Sequence, residues 1–275
     1  MCPVVLTFAA LQPPDTGVFR IARRSGGAVD PLAWEYALPD GTFGNRFDDP
    51  AAEGASRFRV VYCAASPQAA FGETLARFRP SLDLLANLRD IADDTDEDFD
   101  ELIFTSSVIP ADWRLKRQIA SAAIAHTGHS TFVDIDATAS QQLLREHLVA
   151  RAMEYGLHDV DEASITGQMR AFTQSCPRFI YEQTDQAGTG LYAGIRYRSR
   201  LNPEWECWAC FSDRVLFDVS FPRTIDLDDE ALLDVARLFH LSIETFNGHV
   251  LEVRTMRKCA GWHEGSGVNV PSQDV

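Results

Sequence analysis

The 275-residue sequence is short of positive charge: Lys and Arg total 25 against 40 Asp and Glu, a formal charge of −15 at pH 7. A protein that grips a phosphate backbone needs a basic face to displace counterions, so nucleic acid is not an expected partner. The same balance disfavours an anionic membrane surface. Long apolar runs are also missing. None approaches the roughly 18–20 residues of a membrane span, and the opening stretch MCPVVLTFAALQPP lacks the positive n-region of a secretory signal. Six cysteines in this length do not make a disulfide framework, so a cytoplasmic, reducing location is expected. Common chemical fingerprints are absent as well: there is no G-x-G-x-x-G, Walker A, G-x-S-x-G or H-E-x-x-H.

No metal site is expected either. Cys207 and Cys210 form a C-x-x-C, but the aromatic-rich WECWACF reads as a strand, where positions three apart point to opposite faces. His126 with His129, and Cys259 with His263, lack a third ligand at a typical spacing.

What is present is the composition of a folded protein, 45% hydrophobic and 24% charged. The acids are unevenly spread: Asp90–Glu101 (DIADDTDEDFDE) holds eight in twelve residues, which leaves room for a basic pocket elsewhere. VFRIAR (Val18–Arg23) and RFRVVYCA (Arg57–Ala64) alternate as strands. GTFGNRFDDP (Gly41–Pro50) is a short strand or turn. Ser66-Pro67 is a hydroxyl cap followed by proline at the first helical position, opening a helix whose Phe71, Leu75 and Phe78 form a core stripe. Helical pattern continues in Arg114–His126, Ser140–Tyr155 and Ser164–Glu182, the last with Pro177 as a kink or break. Leu191–Ser199 and Glu204–Ser212 form a hairpin about Asn202-Pro203, and Asp228–His240 is a helix. Strands in two clusters around a helical insert imply an α+β fold. The expected division is a domain at 1–215 with its insert at about 81–185, then an extension at 216–275 packed on it, loose from about 265.

The candidate residues are plain by themselves. Glu73 lies off the apolar stripe, on a face with Ala69 and Ala76, and reads as a solvated glutamate or as a carboxylate in a cleft. Arg20 reads as a solvent-facing strand arginine, Tyr62 as core and Ser199 as a turn serine.

Their order along the chain, however, resembles the RES-domain family, named for its Arg, Glu and Ser. VFRIAR, GTFGNRFDDP, VVYCAASPQAAFGETLA and GIRYRSRLNPEWECWACF are similar to four family blocks, spanning Gly17 to Ser212. The resemblance implies an ADP-ribosyltransferase-like core of small mixed or antiparallel sheets around a cleft. It implies an enzyme that consumes NAD as substrate, without a prosthetic group, as a glycohydrolase or phosphorylase. A protein ADP-ribosyltransferase, or a silent nucleotide- or partner-binding module, are the alternatives. It also implies a bacterial toxin context with a helix-turn-helix antitoxin as partner; oligomeric state stays open. Carried onto this chain, it makes Glu73, Arg20 and Ser199 catalytic, and Arg20, Arg46, Tyr62 and Ser199 the NAD-binding set. Arg23, Arg24, Arg196, Arg198 and Arg200 join Arg20 and Arg46 as a local phosphate-binding cluster.

Overall fold

The computed structural model describes residues 7–51, 53–54, 56–83, 85–86, 107–125, 131–220 and 222–253. The acidic run at 90–101, the His126/His129 and Cys259/His263 pairs and the tail from 265 lie outside these.

The two alternating segments form strands as their patterns predict, β2 at Val18–Arg23 and β3 at Val60–Ala64, after a short β1 at Ala10–Leu11. Helix α1, Pro67–Leu75, starts where the cap signature places it, and the Ser66 hydroxyl accepts the Ala69 N–H at 3.2 Å. It tightens into a 3-10 turn at Ala76–Phe78. Phe71 and Leu75 are fully buried, as a core stripe requires. Next come β4 (Val108–Ile109), α2 (Ala111–Leu115), β5 (Arg117–Ala125) and β6 (Phe132–Asp134). The helical segments that follow are α3 (Thr138–Glu154), α4 (Glu162–Thr166), α5 (Arg170–Thr173) and α6 (Ser175–Tyr181). The chain ends in β7 (Gly194–Arg198), β8 (Glu206–Phe211), β9 (Leu216–Val219), β10 (Arg223–Thr224), α7 (Glu230–Leu238), β11 (Ser242–Glu244) and β12 (Val250–Glu252).

One sequence reading is corrected outright. The segment Arg114–His126 is not a helix; after the single turn of α2 it becomes β5, a nine-residue strand. Its alanines carry helix propensity, but Ile119, Ala120, Ala122 and Ile124 are buried between neighbouring strands, and tertiary packing overrides propensity. The 81–185 stretch is accordingly more than a helical insert, because β5 and β6 enter the main sheet. Ser164–Glu182 is three short helices rather than one. Pro177 sits in the first turn of α6, where its missing N–H costs nothing.

The fold is α+β. Among the described residues a nine-stranded mixed sheet runs β1-β6-β7-β8-β3-β2-β5-β10, with β9 also on β5, beside a small sheet β12-β11-β4. The β6–β7 pair is parallel and its neighbours are antiparallel. The large sheet has a core on each face. Tyr62 and Cys207 turn to the larger core and Val61, Cys63 and Cys210 to the smaller, so the C-x-x-C is split across the sheet. The residues after 215 are woven in: β9 and β10 both pair β5, and α7 packs on α1.

Candidate active site

The cleft arises from a seam in the large sheet. β2 pairs β5 through all six of its residues, and β3 pairs β8 through all five. Between β2 and β3, however, a single residue pair, Phe19 with Ala64, joins the two halves. Strands that twist and meet at one point splay apart beyond it. The large mixed sheet thus opens at this seam. A cleft of about 510 Å³ lies there, lined by Arg20, Tyr62, Glu73 and Tyr197 together with Arg46, Arg77, Arg170 and Arg200.

Glu73 projects from α1, and the Ser199 hydroxyl donates to its Oε1. Ser199 is itself buried, 5% exposed, and its Oγ accepts the Leu201 N–H at 3.0 Å, which orients the hydroxyl proton toward the carboxylate. The pair is fixed from below. Ser199 N–H donates to the Trp205 carbonyl across the β7–β8 hairpin. The Trp205 ring lies against Gly72, one residue before Glu73, where an added Cβ would fall 1.9 Å from the indole. Gly72 thus lets the hairpin press directly on the helix that carries Glu73. Glu73 remains solvent-exposed at its cleft position.

Glu73 is the one acid among the described residues that line the cleft; five arginines line it. Among the described residues none of these five forms an ion pair with a carboxylate. Arg20 donates to the Asp30 and Ala28 carbonyls, and burial lowers its pKa against the opposing influence of Cys63, Cys210 and Asp30. Arg46 is more exceptional. Its Nε and Nη1 are buried without a hydrogen-bond partner, and its guanidinium lies 5.5 Å from the ring centres of both Phe47 and Tyr197. Burial lowers its pKa as well; Tyr197 and Glu73 pull the other way, while Arg200 and Arg170 add to the lowering. A buried, unanswered cation is costly unless something anionic answers it.

The Gly41–Pro50 loop that presents Arg46 is held by two buried aspartates. Asp48 accepts the N–H groups of Phe43 and Asn45 and the Tyr62 hydroxyl, and that hydroxyl accepts the Phe47 N–H. Asp49 accepts the N–H groups of Ala51 and Phe58 and an Arg178 N–H. Burial, with Asp48 alongside, raises the Tyr62 pKa well above its ordinary value, so its proton stays on the oxygen. Tyr62 therefore offers the cleft its ring, with its hydroxyl committed to the loop.

The structure brings Arg20, Arg46, Tyr62, Glu73 and Ser199 to one place, and Arg200 with them. It removes others from the expected arginine cluster. Along β7, Tyr197 and Ser199 face the cleft, so Arg196 and Arg198, at alternate positions, face away. Arg196 instead ion-pairs with Asp134, Asp136 and Glu206. Arg23 and Arg24 line a separate groove. Arg77, Arg170 and Tyr197 were not singled out from the sequence. Tyr197 was within reach, two residues before Ser199 on the same strand face; the two arginines carried no such signal.

A model of the RES domain matches residues 18–234. The chain belongs to the RES domain family. This match runs past the four recognised blocks and takes in β9, β10 and most of α7. RES domains are associated with NAD-utilising toxin–antitoxin proteins. No curated protein and no solved structure matches the chain. Among the described residues no helix of this RES domain is long and apolar enough to cross a membrane, and no cluster of three metal-ligating side chains occurs.

Proposed function

We propose that this RES domain cleaves the nicotinamide–ribose bond of NAD, passing the ribosyl carbon to water or phosphate. The observation that carries this reading is the single carboxylate among the described lining residues, Glu73, held by Ser199 in a cleft whose other charged side chains are all arginines. NAD bears a diphosphate for the arginines and one electron-poor bond for the carboxylate. When that bond breaks, its electron pair goes to the nicotinamide nitrogen, which leaves neutral. The leaving group needs no proton, so one carboxylate suffices where ordinary glycosidases use two.

Glu73 then accepts hydrogen bonds from the ribose hydroxyls and faces the positive charge that develops at the ribosyl carbon. Ser199 positions Glu73. Arg20 and Arg46 hold the diphosphate through their planar donor forks, and Tyr62 packs its ring against the nicotinamide end. Because the chain as a whole is strongly acidic, capture of an anionic substrate rests on these local arginines.

The test is incubation of the pure protein with NAD, with and without inorganic phosphate, followed by chromatography. Release of nicotinamide and ADP-ribose supports hydrolysis, and a phosphate-dependent product supports phosphorolysis. Intact NAD under both conditions, with ADP-ribose mass appearing on a protein of an added lysate, would replace this reading with ADP-ribosyl transfer.

A further inference from the structure

Beyond the cleft, β2 and β5 end in a juxtaposition that electrostatics disfavours. Arg23 and Arg117 are direct partners across the antiparallel pair, and like charges directly opposite each other destabilise a sheet. Arg24 and Lys116 follow immediately, and Arg77 at the cleft rim adds to the repulsion on Arg117. Lys116 has Asp112, but both side chains are more than 70% exposed. Arg24 reaches the Leu115 carbonyl, and Arg117 the Trp113 carbonyl and ring. Among the described residues no carboxylate forms an ion pair with Arg23, Arg24 or Arg117, in a chain with fifteen more acids than bases. These side chains line an open groove of about 580 Å³ whose wall includes the exposed Leu115.

We propose that this groove is a docking site for an acidic segment of a partner protein, with an apolar side chain seated on Leu115. Charge complementarity selects the occupant. The groove is too roomy for one inorganic anion and has an apolar wall that such an anion would not use. A nucleic-acid strand gains its affinity from a longer row of phosphate contacts than these few cations supply. An acidic peptide matches both the charge and the wall, and its binding relieves the Arg23–Arg117 repulsion. The groove lies outside the NAD reading, since docking requires no turnover.

The experiment is fluorescence anisotropy with a labelled peptide alternating Asp, Glu and Leu. A Gln/Leu peptide of equal length and a single-stranded RNA of equal charge serve as competing probes. The acidic peptide should bind with an affinity that falls as salt rises. Arg23→Glu should weaken it at least about tenfold, while raising the thermal midpoint because Glu opposite Arg117 replaces repulsion with attraction. Lys116→Glu, at an exposed position, should weaken binding in the same direction, and Arg46→Gln should leave it unchanged. Equal binding of the neutral peptide, tighter binding of the RNA, or indifference to both charge reversals would overturn the proposal. So would equal loss in Arg46→Gln, which would move the peptide into the cleft.

Discussion

Two arginines of the molecule, one on a strand and one on a loop, live under opposite rules. On the outer face of β7, Arg196 sits within 3.2 Å of carboxylate oxygens from Asp134, Asp136 and Glu206. In the cleft, Arg46 has two buried guanidinium nitrogens with no partner. One strand step separates the two environments, because Tyr197 faces one way and Arg196 the other. Where acids outnumber bases, an arginine without a carboxylate is the unusual case. The paired arginine holds strands together, and the unpaired one carries a cost to stability that the anionic substrate proposed above would offset. Strand alternation turns Arg196 away from the cleft, while a loop brings Arg46 into it.

The contrast breaks most sharply at Glu73. Glu73→Gln keeps shape and removes charge, so nicotinamide release should fall by about 10²–10³ or more, with the urea midpoint nearly unchanged. A loss below tenfold would remove Glu73 from the chemistry. Arg196→Gln should do the reverse. It leaves three partly buried carboxylates facing one another and should cost about 2–3 kcal/mol in urea unfolding, with KM for NAD unaltered. Arg46→Gln should raise KM for NAD about tenfold or more while holding or slightly raising the thermal midpoint, since a buried unpaired charge is removed. A marked drop in stability would show that Arg46 is structural after all.

The smallest effect concerns pH. Burial holds the Asp136 carboxyl above its usual range, against the Arg198 N–H and Arg196 that pull it down. A carboxyl with a raised native pKa binds its proton more tightly folded than unfolded. Its contribution to stability is therefore full below the unfolded value and is lost as pH rises from about 3.8 through the raised native value. Asp136→Asn should flatten that part of the stability profile, measured by urea unfolding across acidic pH, and Glu73→Gln should leave it in place.

Much of the site was legible because family blocks and local rules agree. Ser66-Pro67 places the start of α1, and with it the turn on which Glu73 projects. The alternation of β3 fixes the side of Tyr62. The β7–β8 hairpin puts Ser199 at a strand end. Pattern failed at β5, where an alanine-rich stretch adopts a strand because its neighbours bury it. It failed also for Arg196 and Arg198, whose place beside Ser199 in sequence suggested a shared pocket that strand geometry denies. The buried aspartates of the FDDP turn belong to a family-like block, yet Asp48 tying Tyr62 to Asn45, and Asp49 tying Phe58 to Arg178, depend on contacts that no spacing reveals.

By itself the sequence determined the strands and helix that carry Arg20, Tyr62 and Glu73, the α+β class and the family, because caps, alternation and turns act over a handful of neighbours. Only the tertiary structure decided which arginines meet Glu73, and that β2 and β3 part after one residue pair to make room for a cleft. Those outcomes depend on which strand lies beside which, a matter of long-range pairing and burial that charge counts and spacing do not contain.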